Sequence, residues 1–193
     1  MKEYVYDSAT ALLCRRLRPD FDVGGIKEEF DPALWEQGEV TLAAGRDRYF
    51  LVGRPGDFSE VKFSRSERVP NTCQFLQEFL PGKPLRAHFS TLGSHSRVSL
   101  HVDGHVGDRY KFFEQTIRIH LPIETNEKCV FYVDGELFRM REGEVWVIDN
   151  RKTHAVINRG KPRLHLIVDL EPDEKLLEWL DDAYPDESFT DER

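Results

Sequence analysis

The sequence predicts a mainly β protein built as a double-stranded β-helix, or jelly roll, with flanking helices. Three observations carry that expectation. From residue 85 onward, eight short segments rich in β-branched and aromatic residues follow one another, most of them separated by turn residues. All seven histidines lie between His88 and His165, inside that run. The chain has 193 residues, 39% hydrophobic and 32% charged, which suits one soluble domain with an ordinary core.

Residues 1–84 read as supporting helices and a hairpin. Asp7 or Ser8 is placed to cap a short helix over 9–17, stopped by Pro19. Segments 39–43 and 48–52 flank Gly45-Arg46-Asp47 and predict a β-hairpin. Asn71 is placed to cap a helix over 72–80, whose apolar residues recur at helical spacing and which Pro81-Gly82 ends. The jelly-roll core, 85–170, contains the expected strands 85–92, 97–102, 115–123, 128–133, 136–140, 144–148, 153–158 and 163–170. Asp134-Gly135, Glu142-Gly143 and Arg159-Gly160-Lys161-Pro162 mark turns between them. Residues 171–193 read as a short amphipathic helix around Leu176 to Leu180, followed by an acidic tail. No repeat and no second domain is expected.

Composition excludes several classes. A formal net charge of −8 argues against a nucleic-acid or anionic-membrane surface, which needs clustered Lys and Arg. No apolar run approaches the roughly 20 residues of a membrane span, and the first residues lack a signal peptide's apolar stretch, so a cytoplasmic protein is expected. The cysteines Cys14, Cys73 and Cys129 are odd in number and far apart, which suggests neither a disulfide framework nor a zinc site.

The chemistry is expected at His101-Val102-Asp103. In an extended strand, residues two apart share a face, so an imidazole and a carboxylate can reach one metal ion. His154 is the best third ligand. Two histidines and a carboxylate form the facial triad of non-haem Fe(II) oxygenases, with positions left open for cosubstrate and O2. By the same alternation, Arg118 and His120 share one face of their strand, away from Ile117, Ile119 and Leu121. Arg163 heads an apolar strand, where a buried guanidinium calls for an anion. That anion is either an internal carboxylate or one from a ligand.

From Phe89 to Leu170 the sequence resembles the aspartyl/asparaginyl β-hydroxylase family of Fe(II)/2-oxoglutarate oxygenases. The likeness rests on Phe89-Ser90-Thr91-Leu92, the His101/Asp103/His154 set, Thr116 to Cys129, Gly143-Glu144-Val145-Trp146 and Pro162 to Asp169. Within that family the motifs look most similar to bacterial proline cis-hydroxylases. The resemblance implies a cupin-like fold, iron on His101, Asp103 and His154, and Arg163 gripping the C5 carboxylate of 2-oxoglutarate. It also implies Ser90 as a hydroxyl partner at that end, with Arg118 and His120 near the C1 carboxylate. The expected reaction is hydroxylation of an amino acid or a small molecule derived from one, with release of succinate and CO2. Peptidyl Asp/Asn and lipid acyl chains are the alternative substrates.

The family's mammalian-type members carry a glycine where this chain has Asp103, so the full triad resembles the small-molecule branch. Loop 104–115 is longer than in the proline hydroxylases. His105 would rival Asp103 as a ligand if this stretch were helical, although Gly104 and Gly107 favour a loop. Among the other residues, His88 and His95 are expected at the surface or in structural hydrogen bonds, and Trp146 in the core. Arg86, Arg97 and Arg109 are expected in solvent unless one of them binds a substrate carboxylate. His165 is open between supporting and structural roles. Three other functions fit parts of the pattern: a Zn or Mn isomerase, a halogenase, and a binding module without catalysis. The first does not need Arg163 for a dicarboxylate, the second needs an open position where Asp103 stands, and the third does not need the triad.

Overall fold

The computed structural model describes residues 14–17, 19–31, 48–52, 68–103, 112–113 and 115–181. Ten strands form two antiparallel sheets. The strands are β1 (Cys14–Leu17), β2 (Arg48–Val52), β3 (Lys83–Leu92), β4 (Ser96–His101), β5 (Ile117–Glu124), β6 (Cys129–Val133), β7 (Glu136–Phe138), β8 (Val145–Ile148), β9 (His154–Asn158) and β10 (Arg163–Glu171). The larger sheet runs β1-β8-β5-β10-β3-β2 and the smaller β4-β9-β6-β7. Every one of the eight expected segments between 85 and 170 is a strand, with ends shifted by no more than two residues. The jelly roll is therefore the fold of this chain.

Strand parity explains how the large sheet is buried on both sides. In β5 and β10, Ile117, Ile119, Leu121, Ile123, Leu164, Leu166, Val168 and Leu170 all belong to one apolar cluster. The register sets Val168 opposite Ile119 and Leu166 opposite Leu121, so these side chains pack as cross-strand pairs. Each fully buried Leu or Ile contributes roughly 1.5–3 kcal/mol. The opposite parity carries Arg118, His120, Arg163, His165 and Asp169, joined by Arg86, His88 and Ser90 from β3. That polar face looks toward the small sheet. A second apolar cluster, including Leu92, Val98, Phe131, Val133, Trp146, Ile148 and Val156, fills the remaining space between the sheets. Trp146 is core, as expected, and its indole N–H donates to Glu144 Oε2 at 3.0 Å.

Helices cover the outer face of the large sheet. They are α1 (Gly24–Glu29), α2 (Pro70–Gln74), which continues as a π-helical turn over Phe75–Phe79, and α3 (Glu174–Asp181). Ile26, Phe75, Leu76, Leu176 and Leu180 join the first cluster. The turn at Glu142-Gly143 locks α1's approach to the sheet. Phe21 N donates to Gly143 O at 2.8 Å, and Gly143 has φ +80° with Phe21 O only 2.7 Å from where a Cβ would stand, so glycine is required there.

Two expectations need correction. The end of the expected 9–17 helix is strand β1, because Cys14 to Leu17 pair with Ile148 to Val145 of β8, and the ladder outweighs the local helical spacing. Asn71 is not a cap. The helix starts at Pro70 after Val69, and Glu29 does the capping by accepting from Asn71 N, Asn71 Nδ2, Thr72 N and Thr72 Oγ1 at 2.5–2.9 Å. The second arm of the expected hairpin is a strand, β2, which pairs with β3, and the first arm lies outside the described residues. Strands β1 and β2 thus extend the core sheet beyond 85–170.

Cys14, Cys73 and Cys129 form no disulfide. Among the described residues, no helix is long and apolar enough to cross a membrane.

Candidate functional site

His101 closes β4 directly opposite His154, which opens β9, and the two rings stand 4.2 Å apart between centroids. Asp103 lies two residues beyond the strand end, in a turn held by the bond from Asp103 N to Asn150 O at 3.1 Å. One ligand atom from each of the three residues lies within 4.8 Å of the others. Both imidazoles are oriented by the chain itself. His101 Nδ1 is 2.7 Å from Ser99 O and His154 Nδ1 is 2.9 Å from Lys152 O. A carbonyl can only accept, so Nδ1 carries the proton and Nε2 keeps its lone pair for a metal. His101 Nε2 is 3.4 Å from Asp103 Oδ1.

Charge states suit the same use. Burial pushes the His154 pKa below its ordinary value, so the ring is neutral at physiological pH. For Asp103, burial works against ionisation, but Arg118 beside it, with His101 and His154, outweighs burial and holds the carboxyl well below the usual carboxylate range. A carboxylate and two imidazoles, each held through Nδ1 so that Nε2 is left for a metal, are the donor set of an Fe(II) facial triad, so these residues fit that metal.

Between the sheets, next to the three residues, a cavity encloses about 540 Å³ of unfilled space, its open mouth included. Among the described residues its lining contains the guanidiniums of Arg86, Arg118 and Arg163 and the carboxylate of Asp103, with Asp169, fully buried, paired to Arg86 and Arg118. Arg163 is 3% exposed and its guanidinium carbon lies 5.3 Å from the centroid of the Phe131 ring. Ser90 is fully buried on the neighbouring strand, opposite His165. Among the described residues, neither Ser90 Oγ nor His165 Nε2 has a hydrogen-bond partner. Buried polar atoms are seldom left so, and both residues lie on the Arg163 face of the sheet, although neither lines the cavity.

His120 is also buried there. Its Nδ1 is 3.4 Å from His165 Nδ1, and burial, with Arg118 and Arg163 adding repulsion, holds its pKa well below the ordinary value.

The structure brings His101, Asp103, His154, Arg118, His120 and Arg163 to one cavity, whereas Ser90, opposite His165, is not among the residues that line it. Arg118 meets internal carboxylates, the alternative to a ligand's that the sequence left open: Nη1 bonds Asp103 Oδ2, and Nε bonds Asp169 Oδ1 at 2.8 Å. Arg86, expected in solvent, is 5% exposed and bonds Asp169 Oδ2 through Nε at 2.6 Å and Nη2 at 2.5 Å. His88, expected at the surface or in structural hydrogen bonds, is buried and lines the cavity. His95 and Arg97 are exposed, while His105 and Arg109 lie outside the described residues. Sequence reading missed Asp169 and Asn150. Asp169 shares parity with Arg163, which was the available signal, whereas nothing local marks Asn150.

Comparison with known proteins agrees with this geometry. Residues 27–172 match the family described as Aspartyl/Asparaginyl beta-hydroxylase. Over 65 residues, 33% of this chain, the sequence is 35% identical to the L-proline cis-4-hydroxylase of Rhizobium meliloti (strain 1021), covering 23% of that protein. Over 148 residues, 74% of this chain, it is 26% identical to L-proline cis-3-hydroxylase 1 of a Streptomyces sp, covering 49% of it. The chain therefore spans half or less of the length of these curated relatives. Among solved structures, an oxidoreductase of the 2OG-Fe(II) oxygenase family from Burkholderia pseudomallei superposes with a TM-score of 0.54 at 13% identity. The match covers 81% of this chain and 84% of that one and shows a shared fold.

Proposed function

The chain belongs to the aspartyl/asparaginyl β-hydroxylase family, and on that premise we propose that it is an Fe(II)/2-oxoglutarate-dependent dioxygenase that hydroxylates an amino acid. One observation carries the reading: the ligand atoms of His101, Asp103 and His154 converge within 4.8 Å at the edge of a cavity whose lining includes Arg163. Bound Fe(II) would supply the activation of O2 and the cleavage of a substrate C–H bond. In balance, 2-oxoglutarate, O2 and the substrate give succinate, CO2 and the hydroxylated product.

The protein's own residues do the rest. Arg163 would hold the C5 carboxylate of 2-oxoglutarate through its two-pronged fork, and Ser90 Oγ and the neutral His165 would add hydrogen bonds at that end. His120, held neutral, would line the other side of the cosubstrate without repelling it. Arg86 and Arg118 are already engaged by Asp169 and Asp103, so Arg163 is the cation that would favour an anionic ligand here, and the walls from Val98, Phe131, Ile148 and Val156 keep water away from the reacting C–H bond. The likeness to the two proline hydroxylases makes proline the first substrate to try, ahead of aspartate, asparagine and other aliphatic amino acids, in a cytoplasmic setting.

The test is a screen under O2 with Fe(II) and 2-oxoglutarate, reading succinate and product mass together. Succinate matched one for one by a product one oxygen atom heavier is the expected outcome. Hydroxylation of a folded protein or a lipid, with no free or carrier-bound amino acid hydroxylated, would overturn the substrate class and leave the cosubstrate chemistry standing.

A further inference from the structure

Resting on the reading of His101, Asp103 and His154 as metal ligands, we propose that Arg118 and Asn150 are positioning residues that occupy one oxygen of Asp103 and limit it to a single-oxygen grip on the metal. The two carboxylate oxygens are not equivalent. Oδ2 receives both Arg118 Nη1 and Asn150 Nδ2, the latter at 3.3 Å. Oδ1 receives neither and lies 3.4 Å from His101 Nε2, on the side where the ligand atoms gather. Asn150 is 2% exposed and holds Asp103 twice, since its carbonyl also takes the Asp103 N–H at 3.1 Å.

Arg118 is itself prevented from swinging away. Its Nε and Nη2 reach Asp169 Oδ1 at 2.8 Å and Oδ2 at 3.4 Å, and Asp169 is fully buried and braced from behind by Arg86. The Phe113 ring lies over both guanidiniums, 4.9 Å from Arg86 and 5.1 Å from Arg118. Asp103, Arg118, Asp169 and Arg86 thus form one chain of alternating charge running from the ligand into the sheet. The consequence is coordinative. A carboxylate that turned to offer both oxygens would take one of the positions that a facial triad leaves open for cosubstrate and O2. The clamp keeps that position available, and it engages Arg118 with the ligand carboxylate instead of with the cosubstrate.

The experiment loads the whole chain with Mn(II) alone, without 2-oxoglutarate, and counts metal-bound waters from the broadening of the Mn(II) EPR lines in 17O-enriched water. The double variant Arg118→Gln, Asn150→Ala should bind one water fewer than the unaltered chain, because the freed carboxylate turns both oxygens to the metal. Arg118→Lys, which keeps a cation at Oδ2, should restore the count. Equal counts in the unaltered chain and the double variant overturn the clamp. So does an unchanged count in Arg118→Gln accompanied by a raised 2-oxoglutarate requirement, which would return Arg118 to the cosubstrate.

Should the double variant not fold, the unaltered chain decides the matter by metal-minus-apo infrared difference spectra with 13C-carboxyl aspartate. A wide splitting of the two carboxylate stretches is expected for one-oxygen binding, and a narrow one overturns the proposal. Failure of the unaltered chain to bind Mn(II) at all would instead defeat the metal reading on which this rests, so the two failures are distinct.

Discussion

Arg163 stands 3% exposed at the head of a strand whose other side chains are almost all buried, with its guanidinium carbon 5.3 Å from the centroid of the Phe131 ring. A planar guanidinium can rest on that ring and present parallel donors to a carboxylate, and an ammonium cannot do both. Arg163→Ala should therefore raise the 2-oxoglutarate requirement steeply, by the equivalent of about 2–5 kcal/mol, while leaving metal binding intact. Arg163→Lys should rescue it in part. Titration of cosubstrate-dependent succinate release checks both, and unchanged dependence in the two variants would remove Arg163 from this role. At this scale the sequence was most legible where short-range geometry decides the outcome. Alternation put Arg118 and His120 on one face of their strand, and both line the cavity, whereas Asp103 reaches His101 from a turn past the end of β4 and not by strand alternation. The sequence allowed Arg118 an internal carboxylate but could not say which, because Asp103 and Asp169 lie 15 and 51 residues away, Asp169 brought opposite by strand register and Asp103 by the turn after β4.

The α1–α2 connection depends on one side chain from outside the helix it caps. Glu29 accepts from the backbone and side chains of both Asn71 and Thr72, satisfying N–H groups that open α2. Glu29→Ala should cost about 1–2 kcal/mol, typical of a lost cap. For a chain of this size that is a fall in Tm of about 2–8 °C, and it should leave metal affinity unchanged, since Glu29 sits on the far side of the large sheet from the cavity. Thermal melts with and without Mn(II) check this. A Tm unaltered by the substitution would deny the cap. The same contact shows why element boundaries in the first third were hard to read. Asn71 looks like a cap from its neighbours, yet the cap comes from 42 residues upstream. Cys14 to Leu17 likewise carry helical spacing but pair with β8 more than 120 residues away. The strands of the core, by contrast, alternate locally and are bounded by their own turn residues, so each could be placed from its own segment.

For the whole molecule, pH acts through the buried histidines on the inner face. Burial holds the pKa values of His120 and His165 well below the ordinary imidazole value, with Arg163 adding repulsion at both and Arg118 at His120. In the unfolded chain both rings titrate near about 6.5. Below that pH the unfolded state therefore binds protons that the folded state refuses, and stability must fall as pH drops, by up to about 1.4 kcal/mol per pH unit for each histidine. Asp103, whose carboxyl is depressed, adds a further loss in the carboxylate range. Urea midpoints between pH 7.5 and 5.5 should decline accordingly, and His165→Gln should flatten the decline; a flat profile in the unaltered protein would contradict it. The central claim for the molecule is that the three ligands and Arg163 together bind a metal-chelated 2-oxo acid. Its most direct test is anaerobic addition of Fe(II) and then 2-oxoglutarate, followed by visible absorption. The unaltered chain should develop the charge-transfer band of a chelated 2-oxo acid, His154→Ala should not, and Arg163→Ala should develop it only at much higher 2-oxoglutarate. Absence of the band in the unaltered chain with Fe(II) bound, or an equal band in all three proteins, would contradict the account.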